Sequence, residues 1–195
     1  MQEHKALGCL VMAAGNASRF RSNKLAAELD GKSLIRRALE AVPARLFAKV
    51  AVVTQYAEIL RLAGEFGFDA IENPHPDWGI SHTIRLGTQA LSHCDGILYM
   101  VSDQPLLDGA SIERLVACWQ AHPMCIVGAA HDGKRGNPNI FPAEFFDELM
   151  ALSGDRGGNT VIRAHAERLR TVEVPQAELT DVDTPEALAA LKAEI

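Results

Sequence analysis

The chain has 195 residues, 48% of them hydrophobic and 23% charged, with a mean hydropathy near zero, a balance that excludes a disordered chain and fits a packed globular fold. A net charge of -6 argues against a nucleic-acid surface, which needs clustered lysine and arginine, so an anionic ligand has to be met by a local basic pocket. No apolar run approaches the roughly 20 residues of a membrane helix, and the length predicts a single domain over 1–195 without linker, repeat or low-complexity segment.

Residues 1–5 lead into the first apolar run without signal-peptide architecture, so the cytoplasm is the expected location. Residues 7–12 read as a buried strand of the parallel kind and end at Ala13-Ala14-Gly15, where a glycine-containing loop begins. Ser33 can cap a helix to about residue 41; 49–53 is a second buried strand, 56–66 has helical spacing, and 68–71 is a short strand. After the turn-rich Asn73-Pro74-His75-Pro76, Ser81 or Thr83 can cap a helix to about residue 91, with Ile84, Gly87 and Leu91 on one face. The apolar strand 96–101 then ends at Ser102-Asp103-Gln104-Pro105. A helix over 111–119, strands over 125–129 and 139–141, a helix over 144–152, a late strand over 169–174 and a closing helix over 185–193 complete the pattern. Cys9, Cys94, Cys118 and Cys125 form no C-x-x-C pair and are expected to be reduced, buried and inert. Strands alternating with helices predict an α/β fold, a mostly parallel sheet with helices on both faces. In such sheets ligands bind beyond the carboxyl ends of the strands, which directs attention to the loops after Met12 and Val101 and to the segment near Asp183.

The first of these loops starts with small residues, which let backbone N–H groups approach a ligand, and carries Arg19 and Lys24. That combination suits a triphosphate, with Arg forking across oxygens and Lys acting as a point charge; the alternative is a solvated loop with two surface cations. Only Gly15 is present, so the loop lacks the G-x-G-x-x-G of a dinucleotide site. Gly31-Lys32-Ser33 resembles the end of a P-loop, but Ala26 stands where its first glycine belongs, and the stretch reads as a turn followed by a helix cap. Asp103, directly after a buried strand, can hold Mg2+ or cap the following turn. In Asp181-Val182-Asp183-Thr184-Pro185 one aspartate is expected to cap the closing helix, leaving the other to share a metal with Asp103. His82 and His165 have no visible partner and read as structural, and Asp155 reads as fixing a glycine-rich turn.

Leu10-Val11-Met12-Ala13-Ala14-Gly15, Ser18-Arg19-Phe20 and Lys24-Leu25 resemble the opening signature of the MobA-like nucleotidyltransferases. Asn73-Pro74, the stretch Gly79-Ile80-Ser81-His82-Thr83-Ile84-Arg85-Leu86-Gly87, Asp103-Gln104-Pro105, Gly136-Asn137-Pro138, Ser153-Gly154-Asp155-Arg156-Gly157-Gly158 and Asp181-Val182-Asp183-Thr184-Pro185-Glu186 are similar to the molybdenum cofactor cytidylyltransferase branch in order and spacing. The resemblance implies a Rossmann-like fold of the nucleotide-diphospho-sugar transferase type. It implies transfer of CMP from CTP to a small phosphorylated acceptor, molybdopterin, with release of pyrophosphate. Ala13, Ala14 and Gly15 would line base and ribose, Ser81 and Thr83 would lie near the base, Arg19 and Lys24 would hold the triphosphate, and Asp103 and Asp183 would hold Mg2+. Arg19, Lys24 and Asp103 are thus the candidate catalytic residues. CTP is favoured because the guanylyl branch has a second glycine at the position of Ala14. A molybdenum hydroxylase or its maturation chaperone would be the recipient of the product. Two other readings remain: a cytidylyltransferase for a sugar-alcohol or isoprenoid phosphate, and a catalytically idle nucleotide-binding partner in cofactor delivery. The sequence departs from the family pattern at Ser102, where glycine is usual, at Asn137, where histidine is usual, and at Gly158-Asn159, which replaces Ala-Arg. The last two departures lie in the half expected to receive the acceptor.

Overall fold

A computed structural model describes residues 5–15 and 23–194. In chain order the first half contains β1 (Leu7–Ala13), the short pair β2 (Glu28–Leu29) and β3 (Lys32–Ser33), α1 (Leu34–Glu40), β4 (Lys49–Thr54), α2 (Ala57–Glu65), β5 (Asp69–Glu72) and α3 (Ile80–Ala90). The second half contains β6 (Gly96–Val101), α4 (Gly109–Ala121), β7 (Ile126–His131), β8 (Lys134–Pro142), α5 (Phe146–Met150), α6 (Asn159–Ala164), β9 (Leu169–Glu173) and α7 (Pro185–Glu194).

Seven strands form one sheet in the order β5-β4-β1-β6-β8-β7-β9. Every pairing is parallel except those of β8, which runs against both β6 and β7. The apolar runs explain the centre of this order: β1 and β4 are buried almost throughout because helices cover both sheet faces. Leu7, Cys9, Val11 and Ala13 point into a core shared with Ile35 and Leu39 of α1, Ile59 of α2 and Trp119 of α4. Leu10 points the other way, into a core built with Ile84 of α3, Leu149 of α5 and Ile162 of α6. On that side α3 lies close to β1 because Gly87 has no side chain: a Cβ there would come within 2.3 Å of the Leu10 methyls. Leu188 and Leu191 of α7 close a third cluster with Leu29, Leu34 and Val182.

The predicted elements recur with ends that coincide or shift by at most three residues, except around β8. Asn139-Ile140-Phe141 alone reads as strand from its apolar content, but the strand begins at Lys134, because Asp132 and Gly133 (φ 46° and 76°) make a two-residue hairpin turn from β7. Asp30-Gly31 makes the same turn between β2 and β3 (φ 51° and 74°), so the turn preceding the Ser33 cap is a small hairpin. The Ser33 hydroxyl accepts from Arg36 N as the cap of α1. The cysteines divide: Cys9 and Cys94 are buried, and burial pushes both thiols up, whereas Cys118 and Cys125 are partly exposed, contrary to the expectation for the set. No helix among the described residues is long and apolar enough to cross a membrane.

Parallel register brings the carboxyl ends of the central strands together, with Ala13 opposite Thr54 and Met12 opposite Val101. The loops that follow β1, β4 and β6 therefore meet over the same sheet edge.

Candidate active site

Backbone carbonyls at the end of β1 are held one by one from its two neighbours. Ser102 donates to Met12 O (2.8 Å), Thr54 to Ala13 O (2.9 Å), Gln55 Nε2 to Ala14 O (3.0 Å) and Tyr56 to Gly15 O (3.3 Å). With the carbonyls engaged behind it, the start of the loop has a fixed path past the cleft. Ser102 thus has a task that a glycine could not perform.

Lys24 follows in the turn of 3-10 helix Lys24–Ala26, which Asn23 caps by accepting from Leu25 N. Its Nζ lies 2.7 Å from Asp103 Oδ2 and 2.9 Å from Asp183 Oδ1. The Lys24 and Asp103 side chains are only 15% and 20% exposed, against 57% for Asp183, so the first pair forms the floor and the third group its rim. Burial alone would lower the Lys24 ammonium, but hydrogen bonds and charge from Asp103 and then Asp183 outweigh it and hold the group above the ordinary lysine value. Asp103 Oδ1 is buried and has no hydrogen-bond partner among the described residues.

Asp183 reaches this floor because Val182 N donates to Asp103 O (2.9 Å) and Val182 is buried, leaving the aspartates on either side of it exposed. Asp181 accepts from Gln104 Nε2 (2.9 Å), and although the residue reaches solvent, partial desolvation of its carboxyl, reinforced by the charge of Asp103, raises it above the usual range. Neither aspartate caps the closing helix as the sequence suggested. Thr184 does so, its hydroxyl accepting from Ala187 N at 3.1 Å.

The floor opens into a cleft of about 420 Å³ bordered by Ala14, Gly15, Asp77, Gly79, Thr83 and Ser102, among others, a size suited to a small-molecule ligand. A second cavity of about 390 Å³ adjoins it, and Met12, Ile80, Val101 and Asp155 border both. Between them the loop 153–158 is fastened to the start of α3. Ser81 N donates to Gly154 O (3.1 Å), and Arg85 of α3 holds the carbonyls of Met150 and Leu152 just ahead of the loop (3.1 and 2.9 Å). Gly79 makes the approach possible: its φ is 82°, and a Cβ would come within 2.4 Å of the Gly154 carbonyl. Gly79→Ala is therefore expected to destabilise the protein by about 1–3 kcal/mol and to separate the two loops. Urea unfolding measures the first effect and proteolysis within 153–158 the second; unchanged values for both would remove the fastening role.

Several sequence-derived candidates converge here. Ala14, Gly15, Lys24, Thr83 and Asp103 border the cleft, and Asp183 joins through Lys24. Ala13 does not border it; its side chain lies in the core beneath. Ser81 and Thr83 are not caps, because α3 already begins at Ile80 after Gly79. Ser81 serves through its backbone, and the Thr83 hydroxyl accepts from Asn73 Nδ2 (3.2 Å), while Asn73 N donates to Thr54 O (2.8 Å). Arg19 lies outside the described residues, as does the rest of 16–22. His82 is buried edge-on against Trp78 (4.9 Å), and burial lowers its pKa; His165 pairs with Glu148 (2.9 Å). Sequence reasoning passed over Gln55, Tyr56 and Asp77, whose only signal was their position just beyond a strand end or turn.

A family model, "MobA-like NTP transferase domain", matches residues 9–169. The purine catabolism protein PucB of Bacillus subtilis is 25% identical over 190 residues, 90% of each chain. Among solved structures, a nucleotidyl transferase from Methanothermobacter thermautotroptrophicus superposes with a TM-score of 0.81 at 21% identity, covering 97% of both chains. Rv0371c of Mycobacterium tuberculosis H37Rv, solved in complex with manganese, superposes with a TM-score of 0.78 at 20% identity, covering 98% of this chain and 100% of the other.

Proposed function

The chain belongs to the MobA-like NTP transferase family, and we propose that it transfers CMP from CTP to a small phosphorylated acceptor, molybdopterin, releasing pyrophosphate. The observation that carries this reading is the Lys24 ammonium held between Asp103 and Asp183 at the floor of a cleft that begins on the Ala14-Gly15 backbone. Cation and carboxylates there match the needs of in-line transfer to a phosphate, which requires positioning and charge neutralisation more than a protein nucleophile.

Asp103 and Asp183 suit a hard divalent cation. Two carboxylate oxygens lie within 3 Å of the same Lys24 Nζ, and the orphaned Asp103 Oδ1 supplies a further donor. The manganese complex of Rv0371c supports a divalent metal in this fold. Mg2+ bound to these carboxylates would supply Lewis-acid polarisation of the α-phosphate. An acceptor phosphate oxygen attacks the α-phosphorus, and the bond to the pyrophosphate oxygen breaks. Lys24, with Arg19 five positions before it in the sequence, steadies the negative charge that accumulates on pyrophosphate. The acceptor phosphate is already ionised near neutral pH, so no general base is assigned. Ala14, 4% exposed at the cleft wall, supports a pyrimidine, since its methyl group fills space that a glycine would leave to a larger base. A molybdenum hydroxylase or its maturation chaperone is the matching recipient.

A matrix of the four NTPs against molybdopterin, sugar-alcohol phosphates and isoprenoid phosphates, read by product mass and pyrophosphate release, tests the reading. CTP with molybdopterin and Mg2+ is the expected productive combination. A preference for GTP overturns the base assignment, another acceptor overturns molybdopterin, and no pyrophosphate from any combination overturns the enzyme.

A further inference from the structure

The carboxyl edge of the sheet continues past the cleft to β7 and β9, and there a histidine meets two carboxylates. His131 ends β7, Asp132 begins the hairpin turn to β8, and Glu173 ends β9. Parallel register brings them together: Ala130 stands opposite Glu173, and Val174 N donates to Ala130 O (2.9 Å). Among the described residues this is the one group of three or more His, Cys, Asp or Glu whose ligand atoms all lie within 4.8 Å of one another.

The hydrogen-bond network assigns the proton of the ring. His131 Nδ1 lies 3.0 Å from Val174 O and 2.9 Å from Glu173 Oε1. A carbonyl and a carboxylate only accept, so Nδ1 donates, and in the neutral ring Nε2 carries the lone pair. That nitrogen lies 3.6 Å from Asp132 Oδ2. Two acceptors therefore face each other, and a cation between them turns a repulsive contact into an attractive one. The separation is close to that of two ligands of one ion, since bonds of about 2.0–2.1 Å at a tetrahedral angle put the ligand atoms about 3.3–3.4 Å apart.

Glu173 fixes the surroundings of this pair. Its Oε1 also accepts from Asp132 N (3.1 Å), so one carboxylate orients both the ring and the turn. A metal-binding imidazole commonly has its other nitrogen held in this way, by donation to a carbonyl or carboxylate. Lys134, opposite His131 across the hairpin, forms no ion pair with either carboxylate among the described residues. His165 offers a contrast: its Nε2 meets both oxygens of Glu148 (2.9 and 3.0 Å), and no third ligand group among the described residues joins them.

We propose that His131 Nε2 and Asp132, with Glu173 through the oxygen that neither ring nor turn engages, bind one divalent cation of the zinc class at a site separate from the carboxylates around Lys24. Imidazole with two carboxylates suits Zn2+ and related first-row ions and disfavours Mg2+, which takes oxygen ligands. The place of the site gives it a mechanical consequence. Val174 is held through both its N and its O, and the chain runs on from it through the 3-10 turn Gln176–Leu179 to Asp181 and Asp183. Leu179 of that turn packs on Gly136 of β8, where a Cβ would come within 2.9 Å of it. An ion that joins the hairpin to the end of β9 thus fastens the base of the segment that carries Asp183 to the cleft. Its effect is on stability rather than on the chemistry of transfer, so the site stands whether or not the chain proves to be a transferase.

The test uses metal-free, full-length protein and Zn2+ alone as probe, in the Asp103→Asn background so that the cleft carboxylates do not compete. Calorimetric titration gives a single saturable site, and the melting temperature rises with added Zn2+. NMR of the histidine ring nitrogens shows the Nε2 resonance of His131 moving while Nδ1 keeps its proton. His131→Gln and Glu173→Gln each weaken binding by roughly tenfold or more, and His165→Gln leaves it unchanged. Either of the first two can lower the metal-free melting temperature through lost contacts to Val174 or Asp132, so the quantity compared is the Zn2+-dependent rise, which both variants lose. No saturable binding, binding that survives His131→Gln, or Mg2+ held as tightly as Zn2+ overturns the assignment. Binding that disappears with Cys118→Ser and Cys125→Ser but not with His131→Gln places the ion on the thiols and overturns it as well.

Discussion

Asp103→Asn lowers turnover by on the order of 10²–10³-fold, the range that follows loss of one preorganised electrostatic group from a reaction centre. The substitution keeps the side-chain volume and removes one charge. Lys24 then retains a single carboxylate partner, Asp183 at 2.9 Å, which lies at the exposed rim. The fold is expected to survive, because the tie between this loop and the C-terminal segment is made by backbone, Val182 N to Asp103 O, and because Ser102 keeps hold of Met12 O. Circular dichroism and melting temperature should match the wild type, and pyrophosphate release in Mg2+ should show the loss. Turnover within a few fold of wild type would remove Asp103 from the metal and from the reaction.

That Asp103 could be singled out from sequence follows from its position directly after a fully apolar strand, where a carboxylate either holds a cation or caps the following turn; the resemblance to the family favoured the first. Lys24 was legible for a related reason, as a cation in a loop that starts from small residues. Their contact was not legible, since 79 positions separate them and only the strand order β4-β1-β6 brings the two loops together. Asp183 and Asp181 show a subtler limit. Sequence reasoning gave a helix cap to one of them, but the hydroxyl of Thr184 sits closer to the first turn, which left both carboxylates free for Lys24 and Gln104. The α6 helix escaped notice because Asn159-Thr160-Val161-Ile162 carries β-branched residues and is short, held by Val161 and Ile162 against the core rather than by local propensity. With that helix the wall of the second cavity was missed.

Lys24→Met separates two roles of one cation, and the two readouts move in opposite directions. Removing the ammonium raises the barrier to transfer by about 2–4 kcal/mol, because charge that builds on the leaving pyrophosphate loses a preorganised partner; kcat falls accordingly, with a smaller change in the KM for CTP. Without nucleotide, the same change strengthens metal binding. Asp103 and Asp183 are bridged by the Lys24 ammonium at 2.7 and 2.9 Å, so a divalent cation approaching them in the wild-type protein meets carboxylates whose charge is already offset. Methionine keeps the length and apolar stem of the side chain and leaves both carboxylates available, so Mn2+ titrated into nucleotide-free protein and followed by electron paramagnetic resonance should bind more tightly to the variant. Asp103→Asn in the same background should abolish that gain. A near-normal kcat would place Lys24 away from the leaving phosphates, and an unchanged Mn2+ affinity would show that the aspartates it bridges are not the groups that hold the metal.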